Sequence, residues 1–402
     1  MVITNNILIL VLLNLFIIGL KKISITIFLK FKLLPLNKEN KKDQSIYAIS
    51  VLLGIFLFCI FSNFVLLIPS LIFFISNSVN HIYEYINLIT HLLKIIIIIL
   101  SLIGLKDIFK IFKILGNQKL KQIKFSYDNN FLISLFLSTF LYLLFAPKSI
   151  TSGIHYDTGL YHLPFINHLS KYTIEPGLVN LHFRYGFYGL SFFGQVPFQM
   201  FTQNSNFLTP SLNICYLAIY ISYFLPYLKD LKINLIKKII KMELIFLEKI
   251  NSISILYFWL SIIFFTGGIF KSLSSYSLDL PLFICGSIGF HLLILYFSSK
   301  KKYSYLIPIL WLTFFSPIVK LSGISFSLFF IFLLFLKSGY SMIFKCMNSN
   351  EKNILQPIYR SFKKWAIDTY NLKLFFNYKL SLVLVICTTL VFILTNLTIT
   401  GY

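Results

Sequence analysis

Acidic residues are scarce in this sequence, and arginine is nearly absent. The 402 residues include 13 Asp and Glu against 36 Lys and Arg, and 34 of those 36 are Lys. A net charge of +23 can indicate nucleic-acid binding, but the lysines lie mostly in a few loops between apolar runs. No basic helix carries interleaved aromatic residues for base stacking. We therefore exclude nucleic acid as a partner, because lysine-rich loops of this kind are typical of membrane proteins.

Cysteine is also sparse, and its spacing carries no motif. The five cysteines are scattered along the chain, without a Cys-x-x-Cys pair. Their spacing fits neither a metal site nor a redox pair. Four of them lie in apolar runs, where cysteine behaves as a small hydrophobic residue. We expect no disulfide bond and no structural metal.

Long apolar runs are what the sequence has in abundance. Hydrophobic residues make up 57% of the chain, and the mean hydropathy is +0.81. Runs of about 18 apolar residues or more are long enough to cross a bilayer. The pattern predicts an all-α fold, a polytopic transmembrane helical bundle of about ten spans in a single integral membrane domain, 1–402. The predicted spans are 5–20, 46–68, 84–105, 130–146, 207–228, 252–270, 279–298, 304–319, 321–337 and 380–398.

Lysine-rich segments between these runs predict the orientation of the chain. Cytoplasmic loops are enriched in Lys and Arg, and Lys21 and Lys22 directly follow the first run, which has no positive charge before it. No small-residue cleavage site follows, so we expect a retained span with its N-terminus outside. The segment 338–379 is then a basic cytoplasmic loop. His91 and Lys94 fall inside the third span, where we expect Lys94 to snorkel rather than face a polar interior.

The same orientation constrains two further regions. Residues 188–228 must cross an odd number of times, so we expect 188–203 to form a helix that lies at the outer surface. The run 304–337 must start and end inside. It is therefore expected to form a hairpin whose tip brings Lys320 to the outer side, with Pro317 and Gly323 as helix breakers.

The predicted outer loop, 147–206, gathers most of the polar residues of interest, along with short surface helices. Four of the seven histidines and one of the two arginines lie between residues 152 and 189. Together with the outer ends of later spans, this side carries the candidate site residues Asp157, Tyr161, His162, His182, Arg184, Asp279 and Lys320.

These residue types are suited to transferring a sugar from a lipid phosphate. A carboxylate can take a proton from an acceptor hydroxyl, Arg and Lys can hold a phosphate, and tyrosines can stack on sugar rings.

Structural alternatives remain for each of these residues. Asp157 and Asp279 could cap helix N-termini, and the histidines could be interface residues with satisfied hydrogen bonds. Arg184 could be an interfacial anchor, and Lys320 could snorkel at a hairpin tip. His155, Asp157 and His162 could also meet at a divalent cation, although their spacing fits no standard ligand pattern.

The loop resembles the first outer loop of GT-C-type glycosyltransferases. Residues 156–163 read YDTGLYHL, and Pro176-Gly177-Leu178, Asn180-Leu181-His182 and Arg184 follow. The similarity is closer to a group of bacterial multi-spanning proteins of unassigned chemistry that resemble the GT-C fold. Phe183 stands where that group has Gly, Tyr188 stands where it has Asn, and Pro164 is expected to interrupt the helix after Asp157.

The resemblance implies a bacterial inner-membrane enzyme acting on the outer face. Its donor would be a polyprenyl-phosphate sugar, and its acceptor an envelope glycan or lipid. Asp157 would be the base, Arg184 and Lys320 would hold the phosphate, and Tyr161, His162, His182 and Asp279 would contact substrate. The resemblance also implies that a C-terminal outer domain is missing from this chain. The alternative is a non-catalytic, transport or polymerase-type component of envelope polysaccharide assembly.

Overall fold

The computed structural model describes residues 2–31, 33–34, 44–76, 82–117, 127–151, 157–202, 210–240, 273, 275–298, 303–347 and 379–401. Within these ranges the fold is all-helical, and no residue of them lies in a β-strand. The α-helices that they contain are α1 (Val2–Lys30), α2 (Gln44–Ser76), α3 (Ile82–Asn117), α4 (Tyr127–Thr151), α5 (Leu163–Tyr172), α6 (Leu190–Gln199), α7 (Asn213–Ile240), α8 (Asp279–Ser298), α9 (Tyr303–Val319), α10 (Gly323–Met347) and α11 (Lys379–Thr400).

The predicted spans overlap these helices, except for 252–270, which lies outside the described residues. Within the described residues, five segments are long and apolar enough to cross a membrane: Asn5–Phe28, Ser45–Ile72, Glu84–Lys110, Asp279–Phe297 and Ser381–Thr400. Three shorter apolar helices cover Asn130–Phe145, Tyr305–Val319 and Gly323–Leu334. The protein is therefore a helical membrane protein, and the number of spans stays a prediction.

Helices α1 and α3 run side by side in the same direction. A Cβ atom on Gly19 would clash with the Leu100 carbonyl oxygen, and one on Gly104 would clash with that of Leu15. Only glycine lets two helix backbones approach so closely. Farther along the same pair, Lys22 Nζ lies 2.5 Å from Asp107 Oδ1. The lysine-rich ends of both helices therefore lie at one end of the bundle.

Helices α9 and α10 form the predicted hairpin, with Lys320 at its tip. The Gly323 N–H donates to the Lys320 carbonyl at 2.7 Å, and the Lys320 N–H donates to Ser316 O at 3.2 Å. A Cβ atom on Gly323 would clash with the Ser316 carbonyl, so glycine is needed there. Pro317, in contrast, lies within α9 and does not end it. The hairpin itself is confirmed, and the location of its tip on the outer side stays a prediction.

The prediction of a surface helix at 188–203 is wrong. Every residue of α6 is buried. A Cβ atom on Gly194 would overlap Cys59 Sγ, which lies midway along α2. The Phe198 ring meets the Phe16 ring of α1 edge to face, with centroids 5.1 Å apart. Burial is possible because α6 carries no charged residue, and its glutamines find hydrogen-bond partners inside the protein.

Lys94 lies at the level where the helices meet the outer loop. Leu93 belongs to the same buried cluster as Leu66 of α2 and Ile174 of the loop. The Ile174 N–H donates to Leu66 O at 3.3 Å, so the loop contacts α2 at Leu66, in the same cluster as Leu93. Lys94 Nζ rests 5.8 Å from the centroid of the Phe201 ring. This contact does not distinguish snorkelling from a polar interior, so both interpretations of Lys94 stay predictions.

Candidate functional site

A turn of π-helix at Thr158–His162 leads into α5. Pro164 is the second residue of α5 and has no N–H, so it cannot donate to the Leu160 carbonyl as the regular helix pattern requires. Instead, the Leu163 N–H donates to Thr158 O, five residues back. Such widened turns are frequent at functional sites. The sequence had predicted that Pro164 interrupts the helix, and this prediction is wrong. Pro164 instead accompanies a wider first turn.

Asp157 forms an ion pair rather than a helix cap. Its carboxylate makes no capping hydrogen bond to the turn that follows. Arg184 Nη1 donates to Asp157 Oδ1 at 3.0 Å, across 27 residues of sequence. The N-cap interpretation of Asp157 is thus wrong. Arg184 itself is positioned by its own backbone, because its N–H donates to His182 Nδ1 at 3.2 Å.

Aromatic rings hold the Arg184 guanidinium in place. Its central carbon lies 5.1 Å from the Tyr161 ring centroid and 5.8 Å from that of Phe183. The His182 ring stacks on both, with centroid separations of 6.2 Å to Tyr161 and 5.3 Å to Phe183. Phe183, which replaces the glycine expected from the resemblance, therefore adds a second ring next to the guanidinium.

The Tyr161 hydroxyl stays protonated at neutral pH. Burial raises the pKa of this phenol, the negative charge of Asp157 raises it further, and Arg184 acts in the opposite direction. The charge of Asp279 also raises this pKa, so Asp279 lies within electrostatic range of the ring. A protonated phenol between these charges can donate a hydrogen bond to an anionic ligand.

Asp279 and Lys320 form a second ion pair. Lys320 Nζ donates to Asp279 Oδ1, and Ser277 Oγ donates to Asp279 Oδ2 at 3.0 Å. Asp279 is the first residue of α8, where a carboxylate is favourable at the positive end of the helix dipole. Its carboxylate binds side chains rather than backbone N–H groups, so the N-cap interpretation is wrong here too.

The outer loop brings the two ion pairs to one end of the bundle. Gly189 packs so closely that a Cβ atom there would clash with Val319 O, next to Lys320, and with Leu278, next to Asp279. Asp279 also interacts electrostatically with His162. The predicted site residues are therefore linked in a continuous set through Tyr161, which touches Arg184, His162 and His182.

His162 supports this site from below. It is only 5% exposed, and its ring packs 4.3 Å from Tyr161 and 4.8 Å from Phe192, measured between centroids. Thr158 is fully buried beside it, and its hydroxyl has no hydrogen-bond partner among the described residues. Because His162 is so deeply buried, it is better placed to orient Tyr161 than to contact a large substrate.

A buried amide network under the site was missed by the sequence analysis. Asn213 Nδ2 donates to Ser275 O at 3.1 Å and to Ser277 O at 3.0 Å, which fixes the segment that holds Asp279. Gln199 Nε2 donates to Asn167 Oδ1 at 2.7 Å and so joins α6 to α5. The available signal was the presence of amide side chains within apolar runs, where polar groups usually have a specific partner.

The divalent-cation interpretation keeps its status as a prediction. No group of three His, Cys, Asp or Glu side chains that could hold a metal ion occurs within the described ranges. His155 lies outside those ranges, so the proposed meeting of His155 with Asp157 and His162 is not tested.

The fold and site define a helical membrane protein with the Asp157–Arg184 and Asp279–Lys320 ion pairs and an aromatic cluster at one end of its bundle. A family model described as "Domain of unknown function (DUF8201)" matches residues 71–350, and the chain belongs to this family. The matched region contains both ion pairs. Comparison with curated proteins and with solved structures gives no match.

Proposed function

We propose that the protein is a GT-C-type glycosyltransferase that moves a sugar from a polyprenyl-phosphate carrier to an envelope glycan or lipid acceptor. The observation that carries the proposal is the grouping of the Asp157–Arg184 pair, Tyr161 and the Asp279–Lys320 pair at one end of an apolar helix bundle. A lipid-linked donor has its phosphate at the membrane boundary, so its enzyme needs a base and cations there.

The orientation supports a site on the outer face of a bacterial inner membrane. The lysine-rich ends of α1 and α3 lie together at Lys22 and Asp107. The outer loop contacts the opposite half of α3, through the cluster that contains Leu93. Under the positive-inside rule the loop then faces outward. About ten spans with an external N-terminus remain part of the proposal.

The chemistry is a single displacement at the anomeric carbon. The acceptor hydroxyl gives its proton to Asp157 and attacks the carbon, while the bond between that carbon and the phosphate oxygen breaks. Arg184 and Lys320 hold the departing polyprenyl phosphate, and Tyr161 donates a hydrogen bond to it. A phosphate leaves as a stable anion, so a strong general acid is not required. Aromatic side chains next to Arg184 offer faces on which a sugar ring can stack.

The polar groups at mid-depth favour a transferase over a transport component. Tyr223 and His291 are fully buried, and their side chains hydrogen-bond to each other at 2.8 Å. A pathway for charged or strongly polar solutes needs polar groups that face a cavity. The charged groups of the candidate site lie instead at the end of the bundle.

The decisive experiment supplies the purified protein, reconstituted in nanodiscs, with a panel of polyprenyl-phosphate sugars and candidate acceptors. Release of polyprenyl phosphate is measured. We expect release with at least one donor, and a loss of about 10²-fold or more in Asp157→Asn, because general bases contribute about 10²–10⁴-fold to rates. Glu175→Gln is the matched control, since Glu175 lies in the same loop but pairs with His168. No release with any donor, or full activity of Asp157→Asn, would overturn the proposal.

A further inference from the structure

Both cations proposed to hold the donor phosphate already have carboxylate partners. Arg184 is bound to Asp157 and Lys320 to Asp279. With all four groups ionised, the two pairs carry no net charge. A phosphate anion that enters this site must therefore compete with both carboxylates for their cations.

The exposure of the two pairs makes this competition feasible. The exposed fractions of the side chains are 33% for Arg184 and 40% for Asp157, and 37% for Lys320 and 57% for Asp279. Ion pairs with this much solvent access are weak, because water screens the attraction and the side chains lose freedom when they pair. A phosphate with several acceptor oxygens can replace a carboxylate on either cation.

The two pairs differ in which partner is held. Arg184 is held by the Tyr161 and Phe183 rings, whereas Asp157 has Arg184 as its one hydrogen-bond partner within the described ranges. In the second pair Asp279 is held by Ser277, and Lys320 is a flexible side chain at a hairpin tip. Exchange therefore releases the Asp157 carboxylate in the first pair and the Lys320 ammonium in the second.

We propose that the lipid phosphate of the donor binds by carboxylate exchange, and that this exchange frees Asp157 to act as the base. The inference rests on the proposed function and adds an order of events to it. While Arg184 holds Asp157, the guanidinium donates to Oδ1 and so occupies a carboxylate oxygen that would take the proton of the acceptor hydroxyl. When phosphate takes Arg184, Asp157 loses that cation and gains an anionic neighbour. Donor binding thereby prepares the site for the acceptor.

Direct binding of polyprenyl monophosphate, a probe without a sugar, tests the exchange in nanodiscs. Removing a competing carboxylate should tighten binding of the probe. We therefore expect Asp157→Asn and Asp279→Asn each to lower the mole fraction of probe in the nanodisc lipid that half-saturates the protein, by about two- to tenfold. Arg184→Gln should raise it by about tenfold or more, since a charge-assisted contact is lost. The control Glu175→Gln should leave it unchanged.

The outcomes separate this inference from the proposed function. Tighter binding by the two Asn variants without sugar transfer by the wild type supports the exchange and overturns the transferase. Sugar transfer by the wild type, with unchanged or weaker probe binding in both Asn variants, overturns the exchange alone. Failure of the wild type to bind the probe also overturns it. If thermal unfolding shows that Asp157→Asn does not fold, Asp279→Asn decides the test.

Discussion

The charged site at the end of the bundle differs in kind from a second polar region inside it. This buried seam joins α7 to α8 and α2 through the hydrogen-bonded pairs Tyr220–Ser287, Tyr223–His291 and Tyr227–Ser45, at 3.3, 2.8 and 3.3 Å. In these three pairs the tyrosines bind two serines and one histidine, and no Asp, Glu, Lys or Arg takes part. The site at the end of the bundle carries full charges on partly exposed side chains.

The difference follows from the cost of removing polar groups from water. A neutral group within an apolar interior is tolerated once it has a hydrogen-bond partner, whereas an ionised group costs far more. Neutral pairs therefore suit the seam, where they connect neighbouring helices. Charged pairs suit the boundary, where water lets them exchange partners. Both regions are polar, and the candidate site differs from the seam by charge combined with exposure.

The largest expected effect separates the two regions by activity. Arg184→Gln should lower the rate of sugar transfer by about 10²-fold or more, equivalent to about 2.7 kcal/mol, because the departing phosphate loses a cation. The free energy of unfolding should change by about 1 kcal/mol or less, since the Asp157–Arg184 pair is partly exposed. Initial rates and unfolding titrations with SDS in mixed micelles measure the two quantities.

Arg184→Lys is the matched variant, because it keeps the charge but loses the planar fork. We expect its transfer rate to lie between those of the wild type and Arg184→Gln. A large loss of stability in Arg184→Gln, with transfer unchanged in the folded fraction, would assign the pair to structure rather than to function.

The second prediction concerns α6, which lies between the site and the seam. Ser191 of α6 hydrogen-bonds to Tyr216 of α7 at 2.9 Å, and Gly194 packs on Cys59 of α2. Gly194→Ala should destabilise the protein by about 1–3 kcal/mol, because the added methyl group overlaps the sulfur atom. Thermal and SDS unfolding report the effect.

Cys59→Ala provides the internal control for this packing. In the Cys59→Ala background, the cost of Gly194→Ala should be clearly smaller, since the sulfur atom is gone. Part of the cost should remain, because a Cβ atom on Gly194 would also lie 2.9 Å from Leu212 Cδ1. Equal costs in the two backgrounds would contradict the packing of Gly194 on Cys59.

The fate of individual predictions shows what a single sequence can and cannot specify. The span predicted at 279–298 coincides with α8, because Asp279 and Pro281 mark its start and Lys300–Lys302 follow its end. The hairpin at Lys320 followed from the charges on either side of it. Both features are bracketed by local signals that a sequence displays directly.

Features that depend on tertiary contacts were not accessible in the same way. The α6 segment is apolar and short. The spacing of its apolar residues does not distinguish a helix at the surface from a helix buried among others. Its lack of charge was the available clue. The sequence placed Asp157 and Arg184 in one loop but could not pair them, since they are 27 positions apart and a widened turn lies between them.

The smallest expected effect tests the seam itself. Tyr223→Phe removes the hydroxyl that pairs with His291 and should lower the free energy of unfolding by about 0.5–1.7 kcal/mol, the range of single hydrogen bonds between membrane helices. Tyr172→Phe, at an exposed tyrosine of α5, should have no measurable effect.

The rate of transfer per folded molecule should remain that of the wild type in both variants. A double-mutant cycle with His291→Phe isolates the pair, and a coupling energy near zero would mean that the Tyr223–His291 pair does not help to join α7 to α8. Loss of transfer in Tyr223→Phe at unchanged stability would instead extend the functional region from the bundle end into its interior.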